Sequence, residues 1–312
     1  MRVFDLHCDT MAVIQGKDLS LAANDLHIDL KRARALETYA QCYAVFVPDK
    51  LRGQEAIDYV ERVAARFARE MAENEAVIAP CKAPGDLARA EAAGKHAGIL
   101  TVESAAGLGD ALETVSRWQE LGVRMCTLTW NGENELGRGV LAPGDAGLTD
   151  FGRRAVRAFE DAGILVDVSH ASPELFWDVA RIARKPLVAS HSNAKAVCGH
   201  PRNLTREQFL AIRDSGGLVG LNYYDAFLND DPARAGMEDL VRHAAYFLSL
   251  GGEDVLALGG DMDGSRLPDD MADGLGAMPR LYQLFVRAFG ETVTDKIFYG
   301  NAARVFRAEN LI

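Results

Sequence analysis

Short apolar, β-branched runs recur along the chain at residues 2–9, 42–47, 97–104, 124–130, 164–170, 186–191, 217–223 and 255–263, and each predicts a strand. Between them lie stretches of helical period, such as 55–70, 109–122, 151–163 and 172–184. Helix-start signals agree: Ser172 stands before Pro173 as an N-cap, and Thr205 with Gln208 has capping-box spacing ahead of an apolar segment. Eight strands alternating with helices predict a parallel sheet that closes into an α/β fold, a TIM-like (β/α)8 barrel. An open doubly wound sheet is the alternative. Against it, no strand is followed by G-x-G-x-x-G, and the phosphate-cradling G-x-x-x-x-G-K-[ST] is absent.

Composition narrows the picture. The 312 residues are 48% hydrophobic and 25% charged, enough to build a core without cross-links or a structural metal, so a metal site here would serve chemistry. Length alone suggests two domains, but no linker or low-complexity tract divides residues 1–312, which predicts a single barrel domain with a C-terminal helical segment. Lys and Arg number 34 against 45 Asp and Glu, a formal charge of −11 with no basic stripe, which argues against a nucleic-acid partner. No apolar stretch approaches a bilayer span and the start has no leader-like pattern, which together predict a cytoplasmic protein without a membrane partner. The five cysteines lack zinc-finger spacing and read as reduced core thiols.

In such a barrel the chemistry sits where strands end. The runs end in His7-x-Asp9, Glu103, His170, His191 and Asp261, a set of metal-ligating types. Strand alternation predicts that His7 and Asp9 face the barrel mouth while Leu6 and Cys8 face the helices. Imidazole and carboxylate ligands suit Zn²⁺, and Glu103 between the two pairs could bridge two ions that share a water lowered toward pKa ~7. A lone strand histidine is more often a core residue. Here three of seven histidines end apolar runs, two of them in V-S-H and A-S-H endings, and the joint pattern favours metal. A second H-x-D, His27 with Asp29, lacks a preceding apolar run and reads as a structural turn. Asp5, Asp145 and Asp150 read as solvated surface carboxylates.

These motifs, with GLTDFGRRAV, LVDVSHAS, KPLVASHSNAKAVCGHPRNLT and LGGDMDG, resemble the membrane dipeptidase (renal dipeptidase) family of the metal-dependent amidohydrolase superfamily, over nearly the whole chain. The resemblance implies a distorted barrel, two zinc ions, hydrolysis of dipeptides by a metal-bridging hydroxide, and a homo-oligomer such as a dimer. It implies that His7, Asp9 and Glu103 hold one zinc and Glu103, His170 and His191 the other. Asp261 matches the family's proton-shuttling aspartate, with Asp263 the competing carboxylate, and Arg202 matches the residue that grips the substrate's carboxylate. Tyr224 is a further pocket-lining candidate. One departure stands out: where the renal type has L-T-H-N, this chain has L-T-W-N with Trp130. Indole has one N–H and cannot ionise, and loss of an oxyanion donor costs ~2.7–4 kcal/mol, so Asn131 or Asn134 becomes a candidate substitute. Two alternatives stay open: a related hydrolase of N-acyl amino acids or lactones, and a barrel that binds metal or peptide without turnover.

Overall fold

Parallel strands need long crossovers, and in this chain nearly every crossover is a helix. The computed structural model describes residues 1–312. Eight strands form a closed parallel ring: β1 (Arg2–Cys8), β2 (Thr38–Phe46), β3 (His96–Glu103), β4 (Val123–Thr127), β5 (Leu165–Asp167), β6 (Val188–Ala189), β7 (Leu218–Leu221) and β8 (Leu256–Leu258). Strand β1 pairs with both β2 and β8, and β2 pairs with β3 from Ala40–Ala97 to Phe46–Glu103, so the ring has no free edge. A short strand, Ile78–Pro80, extends the β3 edge beyond the reach of β4. The chain is thus a (β/α)8 TIM-like barrel, and the open-sheet alternative falls.

The outer layer contains α1 (Gly53–Glu73), α2 (Thr114–Leu121), α3 (Asp150–Asp161), α4 (Pro173–Ile182), α5 (Arg206–Asp214), α6 (Met237–Ser249) and α7 (Met278–Phe289), and a last helix, α8 (Asn301–Ala308), packs against the barrel interior. Two start signals work as anticipated. The Ser172 hydroxyl accepts from Leu175 N at 3.1 Å, and Thr205 and Gln208 form a reciprocal capping box. The stretch 109–122 is helical only from Thr114. Gly109, at φ +62°, ends a separate 3₁₀ turn over Ala105–Leu108, and its left-handed backbone cannot continue into a helix. No helix is long and apolar enough to cross a membrane.

Inward-facing Phe4, Ile99, Met125 and Leu165 form one buried cluster with Tyr299, Phe306 and Ile312, so the C-terminal segment plugs the bottom of the barrel. Leu6 belongs to this interior cluster, which corrects its expected orientation toward the helices; Cys8 does join the outer core. The cause is a register shift between Asp5 and Cys8 that puts one extra residue into β1. Such a bulge breaks strict alternation and re-aims side chains next to a site. With the bottom plugged, the open end is the mouth reached by the strands' C-terminal ends.

Candidate metal centre and substrate cavity

The mouth holds a cavity of about 810 Å³ lined by Asp9, Glu103, Trp130, His170, Arg202, Tyr224 and Asp261, among others. His7 and His191 lie beneath it, with rings stacked 4.0 Å apart. All six candidate groups at the strand ends converge. His7 Nε2 lies 3.4 Å from Glu103 Oε2 and 3.8 Å from both Asp9 Oδ2 and Asp261 Oδ1. The other oxygen, Glu103 Oε1, lies 2.9 Å from His170 Nε2 and 3.7 Å from His191 Nε2. Two trios, His7 with Glu103 and His191, and His7 with Asp9 and Asp261, each keep their ligand atoms within 4.8 Å of one another.

Hydrogen bonding fixes which imidazole nitrogens carry lone pairs. His170 Nδ1 donates to Asn131 Oδ1 at 2.9 Å, which leaves its Nε2 as an acceptor. Ser190 donates its hydroxyl proton to Asp167 Oδ2 at 2.5 Å, so its oxygen accepts from His191 Nδ1 at 2.7 Å, and His191 Nε2 is likewise an acceptor. The two Nε2 atoms face each other at 2.9 Å with Glu103 Oε1 beside them. Three lone pairs at such distances repel unless a cation lies among them. Buried His7 Nε2 and Asp9 Oδ1 have no hydrogen-bond partner. Orphaned acceptors, three carboxylates and three imidazoles fit a divalent transition metal.

The electrostatics point the same way. Burial, reinforced by neighbouring carboxylate charge, pushes the Asp9 carboxyl up to about 6 and that of Asp261 up to about 7. Burial opposes the charge on Glu103 too, yet His7 and His170 hold it below the usual carboxylate range. Burial works against a charged His7, but Glu103 and Asp9 outweigh it and raise the ring well above its ordinary value. His170 is pushed down to about 4 by burial and then by Arg202, and His191 well below its ordinary value by burial and His7. His7 Nε2 thus lies where the carboxylates concentrate negative charge, the place at which a cation gains most.

Local backbone serves this convergence. Of five non-glycine residues with positive φ, Ser104, His170, Asp261 and Asp263 follow strand ends around the site, at 74°, 67°, 55° and 67°. Such conformations cost on the order of 1–3 kcal/mol each and persist where surrounding structure enforces them. Strand β6 dips inward at Ser190: a Cβ on Gly220 or Gly259 would lie 1.9 or 1.8 Å from the Ser190 carbonyl oxygen, so only glycine fits beside it. That dip carries His191 toward the centre.

Several supporting residues escaped the sequence reading. Asp167 is fully buried and satisfied by Ser169 N, Ser190 N, Thr127 Oγ1 and Ser190 Oγ, so its charge reaches His191 through one hydroxyl. Asp5, expected at the solvated surface, is fully buried and accepts from His7 N and Gly260 N at 3.0 Å, tying β1 to β8. Asn222 donates to Asp261 Oδ2 at 3.3 Å. The one available signal was position, since Asp167 and Asn222 lie in or directly after strand runs that end near the site. Asp263 turns from the centre, accepting from Thr10 Oγ1 and His27 N at 2.6 Å. Asn134 is used up structurally, donating to Leu128 O and accepting from Leu136 N, whereas Asn131 lines the cavity.

Arg202 is 4% exposed, and no carboxylate bonds it. Its Nη1 and Nη2 make long contacts to Ser192 Oγ at 3.5 Å and His191 O at 3.4 Å, and its Nε has no partner. Burial lowers its pKa to about 10, so it stays charged at neutral pH. The guanidinium lies 5.3 Å from the Phe227 ring, which Tyr224 meets edge-on at 4.8 Å. Across the mouth, Trp130 packs edge-on to Phe46 at 5.0 Å.

A buried cationic fork beside a set of orphaned ligand atoms suits an anionic small substrate. The chain is similar to an uncharacterized protein in the pqqA 5′ region of Klebsiella pneumoniae, 38% identical over 237 residues, covering 73% of this chain and 87% of that one. The crystal structure of dipeptidase AC, a metallopeptidase of family M19, superimposes at TM-score 0.90 with 29% identity over 100% of this chain and 99% of that one. A metallopeptidase from Rhodobacter sphaeroides, bound to a phosphinate mimic of the dipeptide L-Ala-D-Ala, gives 0.89 with 27% identity over 99% of each chain. A family model described as membrane dipeptidase (peptidase family M19) matches residues 1–312, and the chain therefore belongs to that metal-dependent peptidase family.

Proposed function

We propose that this chain is a binuclear zinc dipeptidase. The observation that carries this reading is the split geometry of Glu103, whose Oε2 faces His7 while Oε1 faces His170 and His191, as a carboxylate shared by two cations would. His7, Asp9 and Glu103 would hold one ion, and Glu103, His170 and His191 the other. When bound, the ions supply an activated water near neutral pH and polarise the scissile carbonyl.

The chain's own groups do the rest. Arg202 receives the substrate's C-terminal carboxylate on its unpaired N–H groups; a charge so deeply buried gains most from a partner of opposite sign, which selects short peptides ending at that point. Asp261 Oδ1 faces His7 and the cavity, while Asn222 holds Oδ2. With a carboxyl titrating near neutrality, Asp261 takes a proton from the attacking water and gives it to the leaving amine. Asn131 lines the cavity with its oxygen engaged by His170, so its NH₂ group is the candidate donor to the substrate's carbonyl oxygen in place of the histidine that Trp130 replaces.

A zinc-reconstituted preparation tests this reading with a panel of dipeptides of both C-terminal configurations, since one relative accepts an L-Ala-D-Ala mimic. N-acyl amino acids and lactones run beside them. The expected result is two zinc ions per chain by elemental analysis and hydrolysis of dipeptides above the other classes. Preference for acylated substrates or lactones, or no turnover with both ions bound, overturns it.

A further inference from the structure

The two halves of the mouth differ in chemistry, and barrel closure sets them opposite each other. In a ring of eight, β2 lies four strands from β6, and β4 four strands from β8. Arg202 follows β6 and reaches back to the His191 carbonyl, and its half also carries His200, Tyr224 and Arg266. Facing it stand Phe46 at the end of β2, Tyr59 on α1, and Trp130 and Leu141 after β4. Apart from the candidate ligands Asp9 and Glu103, no carboxylate or cation lines this second half.

Leu141 is 54% exposed, the one large apolar side chain so exposed in the whole chain. Its backbone is fixed: Leu141 N donates to Asn131 O at 3.1 Å and Val140 N to His170 O at 2.7 Å. The side chain is therefore held at the lip rather than carried there by a free loop. The Trp130 ring lies 6.4 Å from that of His170, so the apolar wall begins beside the candidate metal centre and runs out to Leu141.

A dipeptide held by its carboxylate on Arg202, with its peptide bond over the centre, can only direct its N-terminal residue into the half across the mouth. We propose that Phe46, Tyr59, Trp130 and Leu141 form a receptor for a large apolar side chain on that N-terminal residue, so that the substrates are dipeptides beginning with leucine-, methionine- or phenylalanine-like residues. The proposal rests on the dipeptidase reading above. A charged N-terminal side chain would lose water there, and the nearest charges are already placed behind the wall: Asp49 accepts from Gly132 N at 2.8 Å, and the Arg62 guanidinium lies 5.8 Å from the Tyr59 ring.

The test is a series with a fixed C-terminal alanine, Gly-Ala, Ala-Ala, Leu-Ala, Phe-Ala, Asp-Ala and Lys-Ala, on the zinc-loaded protein. Hydrophobic pockets discriminate by about 10–200-fold per methylene at best, so kcat/KM for Leu-Ala should exceed that for Gly-Ala by at least about tenfold, with Asp-Ala and Lys-Ala lowest. Leu141→Ala and Trp130→Ala should each shrink the Leu-Ala to Gly-Ala ratio severalfold. Calorimetric affinities for the same series read the preference even in a protein that turns nothing over, which separates failure of this proposal from failure of the dipeptidase reading. A flat profile, a preference for Asp-Ala or Lys-Ala, or a ratio untouched by both variants overturns the proposal.

Discussion

Two His-x-Asp pairs twenty residues apart have opposite fates. His27 and Asp29 are satisfied by their surroundings: His27 Nδ1 accepts from Asp263 N at 2.9 Å, and Asp29 caps the short helix Leu30–Ala33 through Arg32 N while also gripping the Arg32 guanidinium. His7 and Asp9 are denser in negative neighbours and yet leave Nε2 and Oδ1 without partners. What marks a site for a cation is therefore an unanswered set of acceptors, since the spacing is identical in both places.

The sharpest way to break that comparison is to remove the same residue from each pair. Asp9→Ala should lose bound metal, measured by elemental analysis, and drop dipeptide turnover on the order of a thousandfold or more, because a catalytic cation supplies several kcal/mol. Asp261→Asn should keep its metal but lower kcat by about 10²–10⁴-fold. Turnover at the wild-type rate in that variant would remove Asp261 from the chemistry.

A third histidine sharpens the contrast through pH. His243 is fully buried and satisfied on both nitrogens, Nδ1 accepting from Ala194 N and Nε2 donating to Leu228 O, and burial pushes its pKa down to about 4. The folded state thus binds fewer protons than the unfolded state between pH 6.5 and 4. Stability should be fully present above 6.5 and be lost at about 1.4 kcal/mol per unit as pH falls toward 4. In urea denaturation of the metal-depleted protein, where the buried groups of the mouth add their own protons to the total, His243→Gln should change the slope by one proton relative to the parent; an unchanged slope refutes the assignment. Next in size, Ser190→Ala and Asp167→Asn should weaken zinc affinity about 10–100-fold, measured against a competing chelator, because His191 loses its hydrogen-bonded orientation. Smallest of all, Asp29→Ala should cost about 1 kcal/mol in thermal stability as a lost cap, with metal content unchanged. Loss of metal from that variant would erase the distinction between the two pairs.

Much of this was legible in the residues. The eight apolar runs became eight strands because parallel barrel strands are buried on both faces and so stand out as continuous apolar stretches. The candidate ligands were visible because three histidines and several carboxylates ended apolar runs together, a joint pattern that core packing alone does not require. Asp5 was misread as solvated although it lies within the first apolar run: its carboxylate is answered by the backbone N–H groups of His7 and Gly260, and a backbone partner 255 residues away leaves no mark in the local sequence. The relay from Asp167 through Ser190 to His191 was hidden because it joins separate strands, with the Ser190 carbonyl seated against Gly220 and Gly259 from two further strand segments. Asn131 and Asn134 looked equivalent in sequence, and only the turn that consumes Asn134 separates them.

The join between β1 and β8 has one more outcome. Asp261 N donates to His7 O, Asp9 N to Met262 O, and Gly260 N to Asp5, so opposite ends of the polypeptide are stitched where the ligands meet. A ribosome must release most of the chain before this pocket exists, and contacts spanning such a separation form late. Zinc uptake would then act as a clasp on the finished ring, adding about 2.7 kcal/mol at a free concentration one hundred times its dissociation constant. Scarcity of the ion would be felt as a shorter-lived protein as well as a slower one.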